Sequence, residues 1–589
     1  PIGSLLTILV TSIGPLFVLL SATSPLVQSW FFATEKARSP YRLYVLSNLG
    51  SLAALLGYPI LIEPAFDRST QAYIWTGGFV VFIAVSIWCA LYLVRKVSEP
   101  EHAEPSTTAP VQSVQWSDRL RWIGWSAIGT GLLAATTARL SADVPPVPFL
   151  WIVPITLYLL SFAVTFTARS WYRPKLLAGL MMLMAAVALD LQTFGTQMVF
   201  AQFLVSHLLA LMVAFVICHG ELYQSRPAPE RLTDFYLTLA GGGALGTLWA
   251  AVVSPSLMDV DVDLALFWSA LICGVAAKAF LRRDHTAVLA LWSGQLLALI
   301  VAPALRPAEE VSRWDNVVGV LGTEWMTVSI AVTAVVALTI YFRQRSTTTW
   351  RPSVTIAVWA LPLVTAGFYL KSSLNTGPGT VANYRSFYGT INVVDYKFDD
   401  PRANHRIMAH GTTNHGLQLT HPDYRHTPTS YYTQKSGVGR AFIRENQSYG
   451  RNIGVVGLGV GTLATYGMTG DTMRFYEIDP EVISAAEAHF DFMQNSAADI
   501  QVALGDGRLL LEHEALMGSQ PPLDLLVVDA FSGDSVPIHL ITTEAFKAYL
   551  SRLAPAGVLV INISNRILDL RRAIEGTARE HELYLAHII

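Results

Sequence analysis

Three glycines and three carboxylates near the end of the chain have the types and spacing for chemistry on a nucleoside. Gly457, Gly459 and Gly461 form a G-x-G-x-G turn in "VVGLGVGTLATYGMTGDTMRFYEID" (455–479), directly after an apolar run. Glycine permits a tight turn and lets a ligand approach the backbone closely. Alone, such a turn points first to a dinucleotide fold. The acids that follow change that reading. Glu477 ends the next apolar run, where a carboxylate can accept both hydroxyls of a ribose. "GDG" (505–507) ends a third run and places Asp506, beside Gly507, to accept from an adenine amino group or to cap a helix. Asp529, in "LLVVDAFSGDSVP", closes a fourth run at the crevice where a reacting centre would lie, and Asp534 follows in the same loop.

These residues need a scaffold that ends several strands at one edge. From 452 onward strands and helices alternate: "NIGVVG", "MRFYEI", "DIQVAL", "LDLLVVDA", "GVLVINIS" and "LYLAHII", each separated from the next by a predicted helix. That rhythm predicts a doubly wound, Rossmann-like α/β sheet, which binds ligands beyond the carboxyl ends of its strands. Residues 384–420 alternate apolar and polar, as in "SFYGTINVVDY" and "HRIMAH", and predict short antiparallel strands. The expected divisions are a linker and small β subdomain with substrate-facing loops at 372–450, then the α/β domain at 451–589. The sequence opens without Met and stops inside an expected strand, so both ends are expected to be trimmed, with the last strand of the sheet missing and its edge open.

An acid after strand two and another after strand three resemble the S-adenosylmethionine-dependent fold rather than the NAD fold. With Asp529 added, the C-terminal region resembles the spermidine synthases, the polyamine aminopropyltransferases, and the whole chain resembles their membrane-fused bacterial relatives. In the soluble family the strand-four loop reads D-S-S-D-P, and its acids bind and deprotonate the attacking amine. Asp529 matches the first acid, while Asp534 is the nearest substitute for the second, two places late. "MAHGTTNHGLQ" (408–418) resembles the family segment that ends in a cofactor-binding glutamine, here Gln418. "SYYTQKSG" (430–437) is similar to its Y-H-E segment: Tyr431 or Tyr432 fits the tyrosine, but Thr433 and Gln434 replace histidine and glutamate. His410 and His415 are further catalytic candidates.

The resemblance implies S-adenosylmethionine or its decarboxylated form as substrate, no prosthetic group and no metal. A sulfonium already leaves readily, so the protein mainly orients it and supplies a carboxylate. Three outcomes remain open. The first is aminopropyl transfer to a polyamine with release of methylthioadenosine. The second, favoured by the missing acids, is a lyase-type reaction without an external amine, giving methylthioadenosine plus homoserine lactone or a similar product. The third is a transporter or sensor with a nucleoside-binding regulatory domain. Ordinary methyl transfer is weaker, because nothing resembles a methyl-acceptor site.

Ahead of this region the chain changes character. It is 52% hydrophobic and 14% charged overall, and its apolar residues cluster before residue 371. About twelve runs are long enough to cross ~30 Å of hydrocarbon: 2–22, 43–62, 73–94, 122–140, 148–167, 174–190, 197–217, 235–253, 262–281, 286–304, 322–342 and 353–370. The expectation is a polytopic α-helical bundle over 1–371 in a bacterial inner membrane, with the lipid bilayer as partner. The polar insert 95–119 would link two bundles, 1–94 and 120–371. "GSLAALLGYP" (50–59) and "GTLWAAVVSP" (246–255) hint at an internal repeat. Glu63, Asp190, His207 and Glu221 are the ionisable residues in or beside spans.

Charge sets up a conflict over sidedness. The connectors 33–42, 95–121, 168–175, 218–234, 278–285 and 343–351 hold nearly all the loop Lys and Arg, while alternate loops such as "MDVDVD" (258–263) are acidic or neutral. Positive-inside bias puts the basic set in the cytoplasm and, after twelve crossings, the C-terminal domain outside. Supply of a nucleoside substrate argues for the cytoplasm. The three cysteines lack metal-ligand spacing, and a net charge of −3 gives no sign of nucleic-acid binding. A homo-oligomer is compatible with the sequence.

Overall fold

The computed structural model describes residues 2–34, 40–98, 114–142, 148–167, 172–194, 200–282, 379–410, 413–443, 450–530, 536–564 and 569–588, with scattered positions between 284 and 371. The chain divides into two compact units. One comprises residues 1–137, 151–250 and 263–372; the other comprises 138–150, 251–262 and 373–589.

The first unit is helical. Among the described residues of the whole chain, five helices are long and apolar enough to cross a membrane: Gly14–Thr34, Tyr41–Ala65, Arg68–Lys96, Leu204–Gln224 and Pro229–Leu257. This is compatible with membrane insertion, but the described residues do not support the expected twelve spans. The first apolar run is split at Ile13 into Ile2–Ser12 and Gly14–Thr34. Trp151–Thr165 and Pro174–Ala185 are apolar but short. The expected runs 322–342 and nearly all of 353–370 lie outside the described residues, as do much of 286–304, the centre of the 95–119 linker and the side chain of Asp190.

Small residues let these helices approach closely. A Cβ on Gly246 would fall 2.1 Å from the Ala127 carbonyl oxygen, and one on Gly242 would fall 2.6 Å from that of Ile123. The same seam carries hydroxyl bonds: Ser126 Oγ donates to the Leu239 carbonyl at 2.7 Å and Thr130 Oγ1 to that of Gly243 at 2.9 Å. Trp122, Phe162, Phe166, Phe215 and Phe235 fill the core beside it.

Two helices of the chain share one layout. Tyr41–Gly57 and Leu232–Leu248 are both 17-residue α-helices, each followed by a 5-residue π-helical turn, Tyr58–Ile62 and Trp249–Val253. Each then ends in a short α-turn containing a proline, Pro64 or Pro255. Counting from the helix starts pairs Gly50 with Gly241 and Pro64 with Pro255, a different register from the motif match of Gly50 with Gly246.

The second unit contains two sheets. Strands β1 (Thr380–Ser386), β2 (Gly389–Tyr396), β3 (His405–His410) and β4 (Thr413–Leu419) form an antiparallel sheet in sequential order. The expected antiparallel strands are present. Strands β5 (Asn452–Val456), β6 (Thr472–Glu477), β7 (Asp499–Leu504), β8 (Leu523–Val528) and β9 (Leu553–Ile561) form a parallel sheet in the order β7-β6-β5-β8-β9. Its central strands are near-continuous apolar runs because both faces are covered. Val455 and Val527 pack with Phe475 and Phe492, while Val456 and Val528 pack with Phe546 and Tyr549. The helices are α1 (Gly437–Phe442), α2 (Pro480–His489), α3 (Gly507–Met517), α4 (Thr543–Arg552) and α5 (Arg571–Glu580).

Two expectations here are corrected. The link from β5 to β6 holds only a 3₁₀ turn, Thr462–Tyr466, between Gly461 and Gly467. Residues 583–588 form no strand. Leu583 packs against the cluster of Phe546 and Tyr549, while Tyr584, Leu585 and Ile588 are exposed.

A buried ion pair ties the start of β5 to β6. Arg451 Nη2 and Nε donate to Asp471 Oδ2 at 2.6 and 3.1 Å, and the Arg451 backbone N–H donates to Oδ1 at 3.0 Å. Burial opposes charge on Asp471, but the Arg451 bonds outweigh it and hold the carboxyl below its ordinary range. Removing one partner of a buried pair costs about 3–5 kcal/mol. Asp471→Ala is therefore expected to lower the thermal unfolding midpoint of the C-terminal unit. In the wild type the pair's contribution is held above the unfolded pKa and lost as pH falls through the lowered folded value. An unchanged melt in Asp471→Ala would contradict this role.

Candidate functional site

The glycine turn stands where the two sheets of the C-terminal unit meet. Gly457 has φ +99°, and a Cβ there would fall 2.3 Å from the Asp529 carbonyl oxygen. Gly459, at φ +55°, would place one 2.5 Å from the His415 carbonyl oxygen, and Gly461, at φ +79°, one 2.8 Å from Met493 Cγ. The turn is thus squeezed between the end of β8 and strand β4, and Val460 N–H donates to the His415 carbonyl at 3.3 Å. Gly507, the first residue of α3, lies equally close to β5: its Cβ would meet Val456 Cγ1 at 2.6 Å.

Glu477 ends β6 and is 8% exposed. Leu458 N–H, from the glycine turn, donates to its Oε2 at 3.0 Å; Ile478 and Asp479 N–H donate to Oε1 at 2.8 and 3.0 Å. Burial raises its carboxyl above the ordinary range, while the Asp479 and Leu458 N–H bonds pull it back. Three donors leave acceptor capacity on the carboxylate, which has about four lone-pair positions.

Asp506 serves two structural partners. Its Oδ1 accepts from Leu509 N–H at 3.1 Å, capping α3, and its Oδ2 lies 2.9 Å from His539 Nε2. Asp529 follows β8, on the other side of β5 from Glu477. Its Oδ1 accepts from Asn562 Nδ2 at 2.8 Å, and Tyr432 hydrogen-bonds the same carboxyl. Burial pushes its pKa up, and these two bonds oppose the rise. The Tyr432 hydroxyl also lies 3.2 Å from that of Tyr431, and the two rings are 4.3 Å apart. Tyr432 is buried and Tyr431 is 41% exposed, so the pair runs from the carboxyl outward. Burial and the nearby Asp529 charge raise both phenols.

The two histidines are stacked, with ring centroids 5.7 Å apart. Burial, then the neighbouring His410, brings His415 down to about 4, so it is neutral at pH 7. Its buried Nε2 has no hydrogen-bond partner among the described residues. His410 is also lowered by burial. Gln418 is placed differently. Its amide donates to the Arg425 carbonyl at 3.1 Å and to Asp491, which Arg425 also pairs, so a ligand would have to displace those bonds. Asp534 lies outside the described residues.

The structure therefore gathers Gly457, Glu477, Asp506 and Asp529 at the carboxyl edge of adjacent parallel strands, with Tyr431 and Tyr432 on Asp529. Sequence reasoning missed His539, Asn562 and Asp479. Asn562 follows β9 directly, so the strand-end rule used for the other acids could have found it. Among the described residues, no group of three or more His, Cys, Asp or Glu side chains is arranged to hold a metal.

A parallel sheet ordered around a glycine turn, with carboxylates at its strand ends, is a doubly wound α/β arrangement whose crevice lies beyond the carboxyl ends of the strands. The chain is 36% identical over 90 residues to a polyamine aminopropyltransferase of Vibrio vulnificus, a match covering 15% of this chain and 29% of that protein. It is 31% identical over 123 residues to a probable polyamine aminopropyl transferase of Bifidobacterium longum, covering 20% of this chain and 24% of the relative. A third relative is an N-terminal histidine N-methyltransferase of Emericella nidulans, 32% identical over 122 residues, or 20% of this chain and 21% of that protein. The chain thus spans less than a third of the length of these relatives. No family model matches. The first two similarities support a spermidine synthase-like superfamily relationship.

The cramped turn yields a stability test. Gly518 also has a positive φ, +58°, but open space around it. Gly518→Ala is expected to cost only the left-handed penalty of about 1–2 kcal/mol. Gly457→Ala adds a backbone collision and should cost about 3 kcal/mol or more. Equal shifts of the two variants in thermal unfolding would contradict the close packing of the turn.

Proposed function

We propose that the chain is a membrane-anchored, spermidine synthase-like enzyme that cleaves the amino-alkyl arm of S-adenosylmethionine or its decarboxylated form, by aminopropyl transfer to a polyamine. The observation that carries this reading is the Asp529 carboxyl, half-buried at the end of β8 between Tyr432 and Asn562, immediately beside the glycine turn. The two similarities to aminopropyltransferases support the same class at a coarse level.

In this reading the glycine turn carries the nucleoside, Glu477 accepts from its ribose hydroxyls, and Asp506 faces the base. The attacking amine nitrogen forms a bond to the carbon beside the sulfonium. The carbon–sulfur bond breaks, and methylthioadenosine leaves with the electron pair. Asp529 takes the amine proton. Its raised pKa suits this role, because a base nearer the working pH accepts a proton more readily. Tyr431 and Tyr432 line the path of the amine, and neutral His415 offers a free acceptor or donor at Nε2. Gln418 and Asp534 belong to the same reading only through their matching positions in the family pattern.

The replacements Thr433 and Gln434 favour a second reading, a lyase-type reaction that needs no external amine. Purified full-length protein incubated with decarboxylated S-adenosylmethionine plus putrescine should release methylthioadenosine, and should release none without the amine. Release from S-adenosylmethionine alone would sink strict transfer and favour the lyase. Asp529→Asn should reduce turnover by about 10²–10⁴-fold; an unchanged rate would remove Asp529 from the chemistry.

The pH profile provides a separate check. A base must be deprotonated, so activity should fall as pH drops through the raised Asp529 value. Asn562→Leu removes a bond that lowers that value and should shift the acid limb to higher pH. A limb that stays in place would exclude Asp529 as the titrating group.

A further inference from the structure

We propose that the C-terminal sheets sit on the membrane face opposite the basic loops, outside the cytoplasm, held there by Arg385. Residues 251–262 belong to the same compact unit as the sheets. Within that unit Arg385, on β1, reaches this segment with a side chain only 8% exposed. Its Nη1 donates to Ser254 Oγ at 3.0 Å and to the Val260 carbonyl at 2.9 Å, and Nη2 lies 3.8 Å from Asp261 Oδ1. A buried guanidinium is tolerated only when paired and hydrogen-bonded in this way. The charge of Asp259 also raises Glu481 on α2, after burial and Asp479. The joint runs into the candidate site: Ser386, next to Arg385, donates to Asp479 Oδ2 at 2.7 Å, and Asp479 N–H donates to Glu477.

The segment that Arg385 grips follows a single helix, Pro229–Leu257, long and apolar enough to cross a membrane. The two ends of that helix differ in basic residues, although Glu230 stands between the two arginines at its start. Arg226 and Arg231 flank its start, where Arg119 pairs Asp234 at 2.8 Å, while Asp259 and Asp261 follow its end and the 258–262 loop has no Lys or Arg. Positive-inside bias holds the Arg226–Arg231 end in the cytoplasm, so the Asp259–Asp261 end emerges on the far side. Whatever Arg385 holds to that end lies there with it. This conclusion needs no count of crossings after residue 282, and it stands whichever reaction the site performs. A nucleoside bound by the unit is therefore met outside the cytoplasm.

Two measurements on the full chain test the side. In a background with Cys89, Cys218 and Cys273 replaced by serine, single cysteines are placed by Ser519→Cys, exposed after α3, and Ser117→Cys, exposed in the basic connector. In intact spheroplasts a membrane-impermeant maleimide should label Ser519→Cys to the level seen after permeabilisation, and Ser117→Cys only after permeabilisation. Protection of Ser519→Cys, or labelling of Ser117→Cys from outside, overturns the proposal. A second readout avoids substitution: an alkaline phosphatase fused after residue 589 of the unaltered chain should be active. Its inactivity, with fluorescence from a green fluorescent protein fused at the same point, would place the unit in the cytoplasm and overturn the proposal equally.

Discussion

The absence of side chains at Gly457 and Gly459 is the constraint on which the C-terminal unit rests. Both glycines take positive φ, and their missing Cβ atoms let the turn lie against the Asp529 and His415 carbonyls at once. A single methyl group at either position would push β8 or β4 away. Because the turn is gripped from both sides, the antiparallel sheet and the parallel sheet close on one edge. That edge is where Glu477, Asp506 and Asp529 end their strands. The geometry of the site is thus a consequence of packing, and the carboxylates inherit their positions from it.

Burial then differentiates the three acids. Glu477 and Asp529 are both raised by desolvation, but their partners differ. Glu477 is held by three backbone N–H groups, which fix its orientation and favour its charge. Asp529 has two side-chain partners, Asn562 and Tyr432, one of which also contacts the more exposed Tyr431. A rigid, backbone-held carboxylate suits binding, and one on movable hydroxyl and amide partners suits proton transfer. Asp506 is shared between a helix cap and His539.

Much of this was legible in the sequence, for physical reasons. The β5, β6, β7 and β8 runs are short; β5 ends at the glycine turn, and β6, β7 and β8 end at or just before Glu477, Asp506 and Asp529, so strand ends and site residues coincide. The β5–β6 connection was misread because "TLATYGMTG" has helix-forming residues but too few between Gly461 and Gly467 for more than a 3₁₀ turn. The tail "LYLAHII" has strand composition, yet Leu583 finds a hydrophobic cluster instead of a ladder. Asn562 was overlooked although it obeys the strand-end rule, while His539 has no pattern to announce it. Gln418 matched a family motif, but its pairing with Asp491 and Arg425 is a tertiary contact that spacing cannot reveal. The apolar runs showed where helices lie; only five of the described helices have the length and hydropathy to cross a bilayer.

The chain joins helices compatible with a membrane to an α/β unit with carboxylates at its strand ends. The central claim is that the glycine turn and Glu477 form a nucleoside site in which Asp529 acts on what the nucleoside carries. Calorimetric titration of full-length protein with methylthioadenosine tests it most directly. Binding by the wild type, lost in Glu477→Ala and kept in Asp529→Asn, is the expected result. Absence of binding by the folded wild type, or binding indifferent to Glu477→Ala, would contradict it.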